Sequence, residues 1–156
     1  MGAEYDASLD LRPMIISTGL PDIILPFKTK EELEALKPDM FLLSKVSEEY
    51  KVTGVHAFTL DSEGGITAHT RNFAPLYDID EEAATGTSSG ALTYYLYLNR
   101  VIGANDRCHL VQGEAMGRPS EILTEITADS KADGSVDCNI KVGGKAVVLA
   151  SGEIML

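Results

Sequence analysis

Hydrophobic and polar residues alternate along much of the chain, and this period of two is typical of strands with one buried face. The alternation is clearest over residues 136–142, where valine, cysteine and isoleucine alternate with aspartate, asparagine and lysine. A partner strand is predicted over 121–128, across a turn at residues 133–134. After the glycine turn at 143–144, residues 145–150 run back as a further strand. This region therefore predicts a meander of antiparallel strands.

The first half of the chain carries the same strand signal. Strands are predicted over 14–18 and 23–27, around a turn at 19–22 that contains glycine and proline. Two further strands over 52–60 and 66–73 flank a polar, glycine-containing break and form a hairpin in outline.

Two short helices interrupt these strands. Thr29 and Glu32 have the spacing of a capping box, and the helix that they open ends before Pro38. A second amphipathic helix is predicted over residues 40–50. Both helices are expected at the periphery of the fold.

A third predicted helix, over residues 88–102, has almost no polar face. A helix that is apolar on every side must be surrounded by other elements. We therefore predict an α+β fold: a mostly antiparallel β-barrel wrapped around this central hydrophobic helix, with the short helices outside. The helix owes its apolar character to Ala91, Leu92, Tyr94, Tyr95, Leu96, Tyr97, Leu98, Val101 and Ile102.

Composition narrows the class of protein. The 156 residues include 24 acidic and 13 basic side chains, for a formal net charge of -11. Nucleic acids and anionic membranes are not expected partners, because binding to them depends on clustered Lys and Arg. The N-terminus lacks the features of a secretory signal, and no run of roughly 18 apolar residues is present. We expect a cytoplasmic protein, with one domain over 14–156 and a leader over 1–13.

The cysteines and histidines do not indicate a metal or disulfide site. Cys108 and Cys138 have no partner at the spacing of a zinc site or a disulfide framework, and are interpreted as buried thiols. His56 and His69 lie in the predicted hairpin and are interpreted as strand residues. No metal and no cofactor is expected.

The start of the apolar helix is the candidate site. An acidic stretch precedes Thr85, Gly86, Thr87 and Ser88, and the first amides of a helix lack intrahelical acceptors. The side chain of one of these hydroxyl residues caps the helix, or the carboxylate or phosphate of a small substrate accepts from the amides, aided by the helix dipole. Both interpretations remain open on the sequence alone.

Several separated motifs resemble the PhzF-like (phenazine biosynthesis-like) family of cofactor-independent isomerases. They occur in the order STGLPDIILP (17–26), RNFAP, ATGTSSGAL followed by YYL, QGEAMGRPS (112–120) and VGG (142–144). The resemblance implies two similar lobes of the diaminopimelate-epimerase-like fold, with the active site in the cleft between them. The matching motifs are those of the second lobe. A separate first-lobe polypeptide, or a second copy of the chain in a homodimer, is therefore the expected partner.

The resemblance also implies roles for individual residues. The family's usual Glu-Asp-Pro-Ala-Thr-Gly-Ser corresponds to residues 81–87, so Glu82 takes the place of an aspartate that assists catalysis, and Thr87 that of a substrate-binding serine. Ala83 replaces the proline. Glu82 is thus the candidate catalytic residue, with a solvated acidic loop as the alternative. Arg71 either binds the substrate or braces the acidic loop.

The function that the resemblance implies is half of an isomerase or epimerase that shifts a proton on a small carboxylate-bearing metabolite. The alternative is a non-catalytic homodimeric module, or remnant, that binds a small carboxylate or other anion. Thiol-based racemisation is disfavoured, because Thr85 stands where related racemases have a cysteine.

Overall fold

The structure is a computed structural model, and it describes residues 1–2, 10–131, 136–148 and 150–154. Eight strands form one sheet, and three helices pack against it. The strands are β1 (Met14–Ser17), β2 (Pro21–Phe27), β3 (Gly54–Thr59), β4 (Ala68–Ala74), β5 (Ile79–Glu82), β6 (Arg107–Gln112), β7 (Ser120–Ser130) and β8 (Val136–Gly143). The helices are α1 (Lys30–Glu34), α2 (Met40–Tyr50) and α3 (Gly86–Leu98), and single 3₁₀ turns lie at Pro75–Tyr77 and Glu114–Met116.

The sheet is mixed, so the mostly antiparallel barrel that the sequence predicted is not confirmed. Its order is β1-β2-β3-β4-β6-β7-β8, with β5 paired to β4 beside this path. The β2–β3 and β4–β6 pairs are parallel, and the other pairs are antiparallel. The reason lies in the connections: α1 and α2 carry the chain back between β2 and β3, and α3 does so between β4 and β6. A crossover through a helix places the next strand parallel to the previous one.

The sheet curls into a half-barrel, and α3 lies in its concave side. This helix packs against β1 and β2 at one end of the sheet and β7 and β8 at the other. The two end strands, β1 and β8, do not pair with each other in the described part of the chain. The predicted barrel closed around α3 is therefore not confirmed: eight of the thirteen helical residues are buried, whereas Gly86, Thr87 and Leu98 are exposed.

Two apolar clusters hold these layers together. One joins α3 to the concave face of the sheet, where the Phe58 and Tyr95 rings meet edge to face with centroids 5.5 Å apart. The other joins α1 and α2 to the convex face and includes Leu33, Leu43 and Phe73. Because both faces of the sheet are covered, every residue of β3 and β4 is buried.

Most predicted elements are present, with shifted ends. The capping box at Thr29 forms, and α2 spans the predicted residues. Helix α3 ends four residues early, because Arg100 adopts a left-handed φ of 59° and the Val101 amide bonds back to Leu96.

Some stretches differ from the sequence prediction or lie outside the described residues. The acidic stretch contains strand β5, which the sequence did not predict. The strand predicted over 145–150 is absent from the described residues 145–148 and 150, which lie outside the sheet. The turn at 133–134 and most of the leader lie outside the described residues. Within the described part, no helix is long and apolar enough to span a bilayer.

Both cysteines are free thiols. Cys108 is buried and Cys138 is half-buried, so the prediction of buried thiols is confirmed for the first residue only. His56 lies in β3 and His69 in β4, which confirms that both are strand residues. No cluster of three His, Cys, Asp or Glu side chains suited to a metal occurs among the residues that the structure describes.

Candidate functional site at the start of helix α3

Helix α3 begins without a side-chain cap. Thr85 is the N-cap residue in extended conformation, and its side chain makes no capping hydrogen bond. The first intrahelical bond runs from the Ser89 amide to the Thr85 carbonyl, at 3.1 Å. In the described part of the chain, the amides of Gly86, Thr87 and Ser88 have no acceptor. The interpretation in which the helix caps itself is therefore wrong for Thr85. Gly86 and Thr87, at the positive end of the helix dipole, are exposed, whereas Ser88 is buried.

The carboxylate of Glu82 lies beside this open turn. Glu82 ends β5, is half-buried, and accepts a hydrogen bond from the Thr85 hydroxyl. The N-cap side chain thus fixes an acid instead of capping the helix. Glu82 belongs to a strand, and the alternative of a freely solvated loop acid does not hold for it.

A buried glutamine locks the segment between Glu82 and the helix. Gln112, with no exposed surface, accepts from the Thr85 amide at 3.2 Å and donates to the Glu82 carbonyl at 2.6 Å and the Thr85 hydroxyl at 3.0 Å. Gly113 follows with a φ of 85°, and a Cβ there would lie 2.9 Å from the Ala83 carbonyl oxygen. Gln112 therefore fixes the segment from Glu82 to Thr85 by hydrogen bonds, and Gly113 permits an approach to the Ala83 backbone that a residue with a side chain would not.

Ser88 points away from the open turn. Its hydroxyl is buried and donates to the Asp22 carboxylate of β2, at 2.6 Å. Of the four hydroxyl and glycine residues predicted to bind a substrate, Gly86 and Thr87 are thus exposed, whereas the Ser88 side chain faces the interior and leaves only its amide for a ligand. The Thr87 carbonyl accepts a hydrogen bond from the hydroxyl of Thr18, the residue after β1, at 3.2 Å.

Asp22 is a buried acid close to this site. Only 2% of its surface is exposed. Burial raises the pKa of the Asp22 carboxyl, hydrogen bonds from Ser88 and the Gly54 backbone lower it, and the charge of Glu82 raises it. The net effect is a pKa above the usual range for aspartate.

Arg71 braces the structure around Glu81. Its guanidinium makes two 2.8 Å bonds to the Glu81 carboxylate and donates to the carbonyls of Leu33, Glu34 and Leu36 at the end of α1. Of its five N–H groups, at most one is left for another partner. The structure thus places Arg71 in the bracing role that the sequence left open beside substrate binding.

Clefts open on both sides of α3. One, of about 500 Å³, is lined by Gly86 and by β7 and β8, with Lys145 at its edge paired to Glu121 at 2.9 Å. The other, of about 690 Å³, lies between β1 and β8 and is lined by Thr18, Tyr94 and Asn139, among others. The first turn of α3 is therefore reachable from solvent.

Two functional candidates, Asp22 and Gln112, were missed on the sequence. Asp22 is the one acid in the otherwise apolar strand β2, and an isolated acid in such a strand is a usable signal. Gln112 lies in the QGEAMGRPS motif at residues 112–120, to which no site role was assigned. Gly113 and Gly117 of the same motif both have positive φ, which glycine adopts readily.

Comparison with known proteins agrees with this architecture. Over residues 2–152 the chain matches the PhzC-PhzF family, described as phenazine biosynthesis-like protein. The chain therefore belongs to this family, and its fold is the PhzF-like one.

The relatives that it matches are about twice as long. It is similar to an uncharacterized isomerase from Clostridium acetobutylicum, at 32% identity over 91% of this chain and 47% of the relative. A trans-2,3-dihydro-3-hydroxyanthranilate isomerase from Pseudomonas chlororaphis is 29% identical over 92% of this chain and 45% of its own. A PhzF-family phenazine biosynthesis protein from Bacillus anthracis has a similar fold, with a TM-score of 0.67 at 20% identity over 85% of this chain and 48% of its own. The chain thus spans about half the length of these proteins.

Proposed function

We propose that this chain is one half of a cofactor-independent isomerase or epimerase that shifts a proton on a small carboxylate-bearing metabolite. The observation that carries the proposal is the pairing of an uncapped helix start with an adjacent carboxylate, since Gly86, Thr87 and Ser88 offer free amides beside Glu82. Family membership supports the reaction class, because relatives of this family are named as isomerases.

The helix amides and Glu82 have different roles in this proposal. The amides bind the substrate carboxylate and stabilise negative charge that grows as a neighbouring C–H proton leaves. Glu82 receives or returns the proton as general acid/base, oriented by the Thr85 hydroxyl. Thr87 is the exposed hydroxyl at the same turn and contacts the substrate. Arg71 acts at a distance, by holding Glu81 and therefore the strand that ends in Glu82.

A second lobe completes the cleft in this proposal. Inversion at a carbon needs a second acid/base on the face opposite Glu82, whereas a shift along one face can use Glu82 alone; the relatives have about twice this length, which is room for such a second group. A separate first-lobe polypeptide or a second copy of this chain supplies it. The substrate is a small metabolite and both cysteines are free, so we place the protein in the cytoplasm.

The second candidate is a homodimeric, non-catalytic module that binds a small carboxylate or other anion. Glu82 in place of the family's aspartate favours this candidate, because an additional methylene displaces the carboxylate by about 1 Å, and such a shift can cost roughly 100-fold in rate. Apolar side chains exposed on β1 and β8, such as Ile15 and Val142, are consistent with a covered surface in either case.

Binding is tested by calorimetric titration of malonate into the protein. Wild type is expected to bind, and Gly86→Val is expected to bind at least tenfold more weakly, because the added side chain fills the approach to the amides beside Val142. Glu48→Gln, an exposed acid on α2, is the control and should bind as wild type does. Binding that ignores Gly86→Val would place the anion elsewhere.

Catalysis is tested by using NMR to measure the incorporation of deuterium from D₂O into candidate carboxylate substrates. A first-lobe polypeptide of the family is added to the reaction. Exchange that falls about 100-fold or more in Glu82→Gln, while malonate binding persists, supports the enzyme. Malonate binding without any exchange supports the binding module. Light scattering on the isolated chain then reports whether it forms the homodimer.

A further inference from the structure

Asp22 is a buried acid for which the proposed reaction has no use. It lies in β2, opposite Ile16 of β1 and Gly54 of β3, and receives hydrogen bonds from the Ser88 hydroxyl and the Gly54 backbone. A buried carboxyl is costly to ionise unless its surroundings compensate. Here Ser88, in the first turn of α3, is its side-chain partner, so the charge of Asp22 is linked to the turn that exposes Gly86 and Thr87.

The groups around Asp22 do not neutralise it. Glu82, at the end of β5, is the charged group that acts on it, and its charge is of the same sign. From β3, His56 lies two residues beyond Gly54, and burial lowers its pKa to about 4, so it is neutral at neutral pH. β1, α1 and α3 contribute no ionised neighbour to Asp22 among the described residues; α3 contributes the Ser88 hydroxyl. Two carboxyls of like charge therefore flank the first turn of α3.

We propose that Asp22 couples anion binding at the start of α3 to the uptake of a proton, acting through Ser88 as a positioning residue. A neutral Asp22 allows an anion to bind in front of the first turn of α3, whereas an ionised Asp22 repels the anion. This inference rests on the proposed anion site. It makes the affinity of that site depend on pH, and it weakens the binding of anions at high pH.

The size of the coupling follows from linkage. If a bound anion favours protonation of Asp22, protonation favours the anion by the same factor, and couplings between neighbouring sites are typically 5–150-fold. For one buried charge behind a helix start, we expect about tenfold between the protonated and ionised states.

The test is calorimetric titration of sulfate, which keeps its charge between pH 5 and pH 8 or so. Wild-type affinity should fall about tenfold as the pH rises through the pKa of the Asp22 carboxyl, which burial holds above its usual value, with net proton uptake revealed by titrations in two buffers of different ionisation enthalpy. Asp22→Asn keeps an acceptor for Ser88 but has no charge. It should bind about tenfold more tightly than wild type at the upper pH, with a flatter profile. Asp39→Asn, the cap of α2, removes the same charge elsewhere and should follow wild type.

Two further variants isolate the Asp22 contribution. In a Glu82→Gln background the pH dependence that remains belongs to Asp22, and adding Asp22→Asn should abolish it. Ser88→Ala removes a hydrogen bond that lowers the Asp22 pKa, so the midpoint of the profile should move to higher pH. A purely structural Asp22 would not produce that shift.

The outcomes separate the two proposals. If folded wild type binds sulfate and Asp22→Asn has the same affinity and the same pH profile, the coupling is refuted and the anion site stands. If wild type binds neither sulfate nor malonate at any pH, the anion site fails and the coupling fails with it. If Asp22→Asn does not fold, an unshifted midpoint in Ser88→Ala refutes the coupling.

Discussion

Replacing Gln112 with methionine tests how the segment before α3 is held. Methionine has nearly the same shape but no amide, so the Thr85 N–H and the Glu82 carbonyl lose their buried partner. Each backbone group left unsatisfied in the interior costs about 1–3 kcal/mol. The Thr85 hydroxyl loses a donor as well but keeps Glu82 as its acceptor, and adds little. We therefore expect a loss of roughly 2–5 kcal/mol in the free energy of unfolding.

The assay is urea denaturation followed by circular dichroism, with thermal unfolding alongside. In a domain of this size the loss corresponds to a fall in Tm of roughly 5–15 °C. Thr127→Val is the matched control, because its hydroxyl makes only a 3.4 Å bond near the surface, and a change within about 0.5 kcal/mol is expected. If Gln112→Met lowers the free energy of unfolding by less than about 1 kcal/mol, with an unchanged denaturant m-value, then water replaces the Gln112 hydrogen bonds and Gln112 does not hold this segment.

Two further predictions concern buried charges and protonation. Arg71→Met leaves the largely buried Glu81 carboxylate without its partner and should lower the free energy of unfolding by about 3–5 kcal/mol in urea denaturation. Arg107→Met, in an exposed pair, should lower it by about 0–1 kcal/mol, and similar losses would refute the bracing role. Burial lowers the pKa of His56 to about 4, so the unfolded chain takes up its proton first as the pH falls below about 6.5. The stability difference between wild type and His56→Gln should therefore shift by about 2–3 kcal/mol against wild type between about pH 7 and pH 4.5, and a constant difference would contradict this.

Local elements were largely readable from the sequence. The capping box at Thr29, the extent of α2 and the period-two alternation of β8 depend on residues within a few positions of each other, so composition and spacing report them directly. That the first amides of α3 lack intrahelical acceptors followed from the helix start alone, whereas the sequence left open whether a side chain caps them. Strand β5 was missed, because its residues are all acidic except Ile79 and it pairs at the margin of the sheet.

The sequence by itself determined the family, the class of fold and the position of the candidate site, because these depend on ordered motifs and short-range patterns. Tertiary structure alone decided the parallel pairs of the sheet, the inward direction of Ser88 and the roles of Asp22 and Gln112. Ser88 meets a carboxylate 66 positions away, and Gln112 reaches back 27 positions to Thr85. Contacts of that separation exist only after the sheet has curled around α3. Whether a hydroxyl caps its helix or binds a distant acid is therefore settled by packing.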